Sequence, residues 1–171
     1  MAQPQKHPDG LRKVVIALFF LGLLLLALLA VGIGLACSAW ISFGPGWLNH
    51  VGGPSLSLGG IALVVWSVHA QYTSGKGTPA PKVATQKLVT NGPYAFTRNP
   101  MTLGALLLYL GIGVWVGSGV VILLTVIVFS GLLTFIYLHE TQELSERFGE
   151  EYQQYRKRTA FLLPCSRRRR K

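Results

Sequence analysis

Two short polar segments hold the residues that could do chemistry, and each borders a long apolar run. The first, "LVTNGPYAFTRNP" (88–100), combines a Gly-Pro turn, two aromatic residues and one arginine, Arg98. Arg98 can anchor the chain at a membrane surface or bind an anion. Asn99 followed by Pro100 suits the first positions of a helix, so Asn99 is either a helix cap or a ligand-binding residue.

The second segment begins at His139 and Glu140, the first polar residues after an apolar run. A carboxylate at the C-terminal end of a helix is unfavourable unless a positive charge meets it. Glu140 can therefore pair with Arg98 or hold the ammonium group of a ligand. The sequence has no Ser/His/Asp or Cys/His arrangement of a nucleophilic enzyme, and no Cys/His spacing typical of a metal site.

The elements that position these residues are predicted to be membrane helices. Half of the 171 residues are hydrophobic and only 13% are charged. The run 101–138 contains no charge and would measure about 57 Å as one helix, nearly twice a bilayer core of roughly 30 Å. Gly117-Ser118-Gly119 is the natural turn within it. The sequence therefore predicts an all-α, polytopic membrane protein forming a single domain, with about four spans at 14–36, 56–72, 101–116 and 120–138, the last two as a helical hairpin.

Charge position predicts the orientation of these spans. All 16 basic residues lie before the first span, between the second and third, or after the fourth. By the positive-inside rule both termini and the middle loop are cytoplasmic. The net charge of +10 thus describes a membrane face and not a nucleic-acid groove. The terminal "RRRRK" can attract anionic lipid headgroups or be an ordinary solvated tail.

The hairpin turn brings the two polar segments together. If the chain folds back at Gly117, its cytoplasmic ends near Met101 and Leu138 lie side by side. Beyond them, apolar residues recur at helical spacing and predict an amphipathic C-terminal helix at the membrane surface, which Gly149 can break. They are Leu144, Phe148, Tyr152 and Tyr155.

Both segments resemble signatures of the isoprenylcysteine carboxyl methyltransferase and phospholipid methyltransferase superfamily. "KLVTNGPYAFTRNPMTLG" is similar to a pattern that reads approximately LVTxGxYxxxRHPxYxG. "HETQELSERFGEEYQQYRKRTAFLLP" is similar to the partner pattern ExxxLxxxFGxxYxxYxxxxxxxxP. The resemblance covers residues 86–164, with the predicted helical hairpin between the two patterns.

This resemblance implies an integral membrane methyltransferase that uses S-adenosylmethionine, has no Rossmann-type domain and acts on a membrane lipid or a lipidated substrate. It implies that segments 86–104 and 139–164 enclose the cofactor, while the protein supplies positioning and desolvation. Arg98, His139 and Glu140 are the candidate catalytic residues. By matching position, the implied cofactor contacts are Gln86, Lys87, Leu88, Val89, Tyr94, Asn99, Pro100, Met101, Thr102 and Glu140.

Three positions depart from the superfamily pattern. Asn99 stands where the pattern has His, and Thr102 where it has Tyr. Ile136 stands where isoprenylcysteine enzymes of eukaryotic type have an arginine that can grip the substrate carboxylate. Three alternatives follow: an isoprenylcysteine carboxyl methyltransferase-like enzyme, a phospholipid headgroup amine N-methyltransferase, and a non-catalytic membrane protein that retains the fold.

Overall fold

The computed structural model describes residues 9–37, 46–75 and 87–163, and within these residues all the regular structure is helical. An isolated β-bridge joins Thr97 and Ala160 in these ranges. The all-α expectation is therefore confirmed. Five α-helices occur in the described part: α1 (Asp9–Ala36), α2 (Gly53–Thr73), α3 (Pro100–Val116), α4 (Gly119–Phe135) and α5 (Thr141–Arg158).

Short non-α segments join these helices. A π-helical segment, Leu48–Gly52, leads into α2, and a 3-10 turn, Gly92–Ala95, precedes α3. A second π-helical segment, Ile136–Glu140, follows α4 and continues into α5. The helical backbone extends past the apolar runs because its hydrogen bonds do not require apolar side chains, so α1 and α2 begin earlier than residues 14 and 56.

Three helical stretches are long and apolar enough to cross a membrane, judged by length and composition: Lys13–Ala36, Asn49–Thr73 and Gly119–Leu138. Helix α3 is apolar but shorter, with 17 residues. At 1.5 Å per residue it measures about 26 Å, slightly less than a bilayer core. The chain therefore has three to four helices able to span a membrane.

The connection between α3 and α4 is a two-residue turn. Gly117 has φ 70° and ψ 28°, a left-handed conformation that glycine adopts without steric cost. The Ser118 side chain accepts a hydrogen bond from the Val121 amide at 3.5 Å and caps α4. Beyond the turn, the Tyr109 ring on α3 lies 5.9 Å from the Phe129 ring on α4. Helix α1 packs against the same cluster through Ala27, Ala30 and Val31.

Helices α2 and α3 approach each other through glycines. A Cβ atom on Gly60 would lie 2.5 Å from the Gly104 carbonyl oxygen, and one on Gly104 would lie 2.7 Å from the Gly60 carbonyl oxygen. One turn away, the Ser57 hydroxyl donates to the Leu108 carbonyl at 3.2 Å. Small residues allow this backbone contact, which fixes the end of α2 relative to the start of α3.

The C-terminal part of the chain returns to the start of α3. Gly149 has φ 51° and ψ −123°, and α5 kinks there. Past the kink, Tyr152 is buried and only 2% exposed. The segment 159–161 then runs beside residues 97–99 through the bridge between Thr97 and Ala160. Two segments about 60 residues apart in sequence thus meet at one end of the helices.

Candidate functional site

A cavity of about 620 Å³ lies between α1, α3 and α4. Along α4 its walls run from Val121 to Ile136, which is about 22 Å of helix. Most of its lining is apolar. The α1 and α4 residues that line it are Phe19, Leu26, Leu29, Ala30, Ile33, Val121, Leu124, Thr125, Val128, Phe129 and Leu132, with Ile136 just beyond α4.

Polar residues gather at the end of the cavity where α2 ends and α3 begins. They are Gln71 from α2, Tyr94 from the 3-10 turn, and Arg98, Asn99 and Thr102 from the start of α3. The cavity is therefore polar at one end and mostly apolar along the rest of its length, where Tyr109 and Thr125 add two hydroxyl groups.

Tyr94 connects three parts of the polar end. Its hydroxyl accepts a hydrogen bond from Gln71 Nε2 at 2.7 Å, and its carbonyl accepts one from the Tyr155 hydroxyl at 2.7 Å. Its side chain packs in a buried cluster with Ala70 and Val89. Burial raises the pKa of Tyr155 far above its usual range, although the positive charge of Arg98 opposes that shift. Tyr155 is therefore a neutral hydrogen-bond donor at physiological pH.

Arg98 is enclosed by neutral groups of the C-terminal segment. Its Nη1 donates to the Tyr152 hydroxyl at 3.3 Å, and its guanidinium carbon lies 5.4 Å from the centre of the Phe161 ring. Its backbone amide donates to the Ala160 carbonyl at 2.9 Å. The Nε atom of Arg98 and the Oε1 atom of Gln71 are both buried, and neither has a hydrogen-bond partner. Buried polar atoms without partners are uncommon, so these two atoms are available to a water molecule or a ligand.

Of the two roles predicted for Asn99, the structure does not show capping of α3 by its side chain. Asn99 occupies the N-cap position, but its side chain makes no capping hydrogen bond. Its Nδ2 donates instead to the Phe161 carbonyl at 3.0 Å, and that carbonyl also accepts from the Thr97 hydroxyl at 3.2 Å. The side-chain amide of Asn99 is therefore hydrogen-bonded to the docked C-terminal segment and not to the first turn of α3.

Of the sequence-predicted site residues, the structure brings one group together on the cavity wall: Tyr94, Arg98, Asn99, Pro100, Met101 and Thr102. Others lie elsewhere. Val89 is buried behind Tyr94, Leu88 is half-buried and Lys87 is exposed, and none of the three is among the described lining residues.

Gln86, the basic tail and the side chains of His139 and Glu140 lie outside the part of the chain that the structure describes. The backbone of His139 and Glu140 belongs to the π-helical segment that begins at the lining residue Ile136. Their contacts with the cavity remain predictions.

Sequence reasoning missed Gln71, Phe161 and the whole contribution of α1 to the cavity. The available signal for Gln71 was that it interrupts the second apolar run near its end. Phe161 and the lining residues of α1 are apolar residues among many, and nothing in their local pattern separates a cavity wall from a lipid-facing surface.

These features define an integral membrane protein of helical class, with a partly open cavity suited to a ligand that is part polar and part apolar. The model of the phospholipid methyltransferase family matches residues 48–151, and the chain belongs to this family. The superfamily predicted from the two signatures is thereby confirmed, and the family is one of membrane methyltransferases. A search of curated proteins gives no match. The matched region ends one residue before Tyr152 and does not include α1.

Proposed function

We propose that this protein is an S-adenosylmethionine-dependent methyltransferase that acts on a lipid or a lipid-modified acceptor. The observation that carries the proposal is the elongated cavity, polar at one end and mostly apolar along the rest, in a member of the phospholipid methyltransferase family. A water-soluble cofactor and a membrane-embedded acceptor need these two environments to adjoin.

The residues at the polar end fit the cofactor. S-adenosylmethionine carries N–H donors and a carboxylate, and the unpartnered atoms are an acceptor, Gln71 Oε1, and a donor, Arg98 Nε. Tyr94 and Met101 offer surface against which a base can pack, and Thr102 adds a hydroxyl. We assign Glu140 to the ammonium group of the methionine moiety. When bound, the cofactor supplies a methyl group activated by its sulfonium charge.

The protein's own contribution is orientation and exclusion of water. The apolar walls from α1, α3 and α4 hold the acceptor's chain and present its polar head to the polar end. His139 or Glu140 removes a proton from the acceptor where the acceptor is an amine. Burial of the polar end behind α5 and residues 159–161 strengthens the electrostatic interactions there.

In the proposed topology four helices span the membrane, α3 and α4 form the hairpin pair, and α5 lies at the membrane surface. Both termini and the loop before α3 then face the cytoplasm, from which the cofactor enters. Anionic lipid headgroups interact with the basic tail beyond residue 163.

The test is binding followed by transfer. Purified protein in detergent is expected to bind S-adenosylmethionine, and Glu140→Gln is expected to abolish that binding through loss of the charge. Glu143→Gln is the matched control, because Glu143 lies on α5 and pairs with Arg147 at 3.3 Å. Absence of binding by the wild-type protein would refute the proposal.

A phospholipid amine is the second candidate acceptor. Ile136 lines the cavity and offers no charge to a substrate carboxylate, which favours an amine headgroup over a prenylcysteine carboxylate. Incubation with methyl-labelled cofactor and total membrane lipid separates the candidates by the species that acquires the label. Tight cofactor binding with no labelled species would indicate a non-catalytic protein.

A further inference from the structure

The guanidinium of Arg98 is held by residues that lie more than 50 positions further along the chain. Tyr152 contacts it through the hydroxyl and Phe161 through the ring face. The Phe161 carbonyl also accepts hydrogen bonds from the side chains on either side of Arg98, those of Thr97 and Asn99. Both the side chain and the flanking backbone of Arg98 are therefore fixed by the C-terminal segment.

The surroundings of Arg98 leave its charge available to a ligand. Among the described residues that line the cavity, Arg98 is the only charged one, and none is acidic. Tyr152 and Phe161 are neutral, and Nε has no partner. A partly buried guanidinium is favourable when an anion meets it, because its own burial is costly.

Arg147 shows the contrasting arrangement in the same chain. It too lies over an aromatic ring, with its guanidinium carbon 5.3 Å from the centre of the Phe148 ring. However, its Nη1 lies 3.3 Å from a Glu143 carboxylate oxygen on the surface of α5. The protein itself neutralises Arg147, whereas the described residues around Arg98 supply contacts but no counter-charge.

We propose, resting on the function proposed above, that Arg98 binds the anionic group of a ligand in the cavity, a carboxylate or a phosphate, and that Tyr152 and Phe161 are positioning residues that orient its guanidinium. The anion belongs either to the cofactor's carboxylate or to the headgroup of the lipid acceptor. Tyr152 and Phe161 lie just beyond residues 48–151, the part of the chain that the family model matches.

The experiment measures ligand binding to the full chain in detergent, in two arms. The first compares S-adenosylhomocysteine with the same compound lacking its carboxylate. The second compares a lysophospholipid with a monoacylglycerol of equal chain length, and a prenylated cysteine with its methyl ester. The variants are Arg98→Gln, Tyr152→Phe and Phe161→Leu, and the controls are Arg147→Gln and Phe148→Leu.

Arg98→Gln is expected to weaken binding of the anionic member of one pair by about 10- to 100-fold, and to leave its uncharged partner within twofold. The arm in which this occurs identifies the source of the anion. Tyr152→Phe and Phe161→Leu are each expected to weaken the same ligand by about 3- to 10-fold. The control variants are expected to bind like the wild-type protein, and Arg98→Lys, which keeps the charge without the planar fork, is expected to be intermediate.

If Arg98→Gln binds every ligand in both arms as tightly as the wild-type protein does, the proposed anion site is overturned. Wild-type binding by both Tyr152→Phe and Phe161→Leu overturns the positioning role. If one of these two variants fails to fold, as judged by size-exclusion chromatography, the other decides. Failure of the proposed function is distinct, because wild-type protein would then bind no S-adenosylhomocysteine while its Arg98-dependent lipid binding could still be measured.

Discussion

The contact between α2 and α3 can be tested with two adjacent glycines. A Cβ atom at Gly60 would lie 2.5 Å from both the Gly104 carbonyl oxygen and the Leu108 amide nitrogen. A Cβ atom at Gly59, one residue earlier on the same helix, meets nothing within 4 Å. Gly60→Ala should therefore destabilise the protein, and Gly59→Ala should not.

The magnitude follows from the geometry. Relieving a 2.5 Å contact to an ordinary separation of about 3.5 Å moves the two helices apart by about 1 Å. Both obstructing atoms are backbone, so no side-chain rotation can relieve the clash. Overpacking of this kind costs about 1–3 kcal/mol. The helix-propensity gain of alanine over glycine, up to about 1 kcal/mol, is common to both variants and cancels in their difference.

The measurement is thermal unfolding of both variants in the same detergent. For a chain of this length, about 1–3 kcal/mol corresponds to a difference of roughly 2–12 °C in Tm, with Gly60→Ala the lower. Gly60→Ala should also weaken ligand binding, since α2 carries Gln71, which contacts Tyr94 at the polar end. Equal Tm values for the two variants would refute the backbone contact between α2 and α3.

Two further predictions concern the cavity and its closure. Burial raises the pKa of Tyr155 in the folded state. The stability that its neutral hydroxyl contributes is therefore fully present below about pH 10, the pKa of a tyrosine in the unfolded chain. It is lost as pH rises from there through the folded-state pKa. The phenolate absorbance of the wild-type protein and of Tyr155→Phe should therefore coincide up to about pH 11. Tyr155→Phe should also be less stable by about 1 kcal/mol, because it lacks the hydrogen bond to the Tyr94 carbonyl. One fewer tyrosine titrating near pH 10 in the variant would contradict this. Ala105→Phe, which places a ring in the apolar part of the cavity, should raise KM for the lipid acceptor by about tenfold without changing the Kd of S-adenosylhomocysteine. Ala62→Phe, on an exposed face of α2, is the control, and equal KM values would exclude an acceptor site in that cavity.

The helices could be predicted because long uncharged runs leave the backbone no option in a bilayer other than to satisfy its own hydrogen bonds. The segment 94–102 could be expected near the end of α4 because a turn at Gly117 folds α4 back beside α3, and residues of this segment line the cavity. The family followed from two spaced patterns, and the match to residues 48–151 confirms it. All of these depend on local composition or on spacing along the chain, which the sequence contains directly.

Other features depended on how distant segments meet. Asn99 has the sequence context of a helix cap, yet its amide bonds to Phe161, because residues 159–161 dock beside it. Lys87, Leu88 and Val89 adjoin Tyr94 in the pattern, yet only Tyr94 is among the described residues that line the cavity. Gln71 and α1 line it from parts of the chain with no recognisable motif. The sequence by itself determined which segments are helical and which family the chain belongs to. Only the tertiary structure decided which side chains face the cavity, because that depends on the close approach of α2 to α3 at Gly60 and Gly104 and on the docking of the C-terminal segment against Arg98.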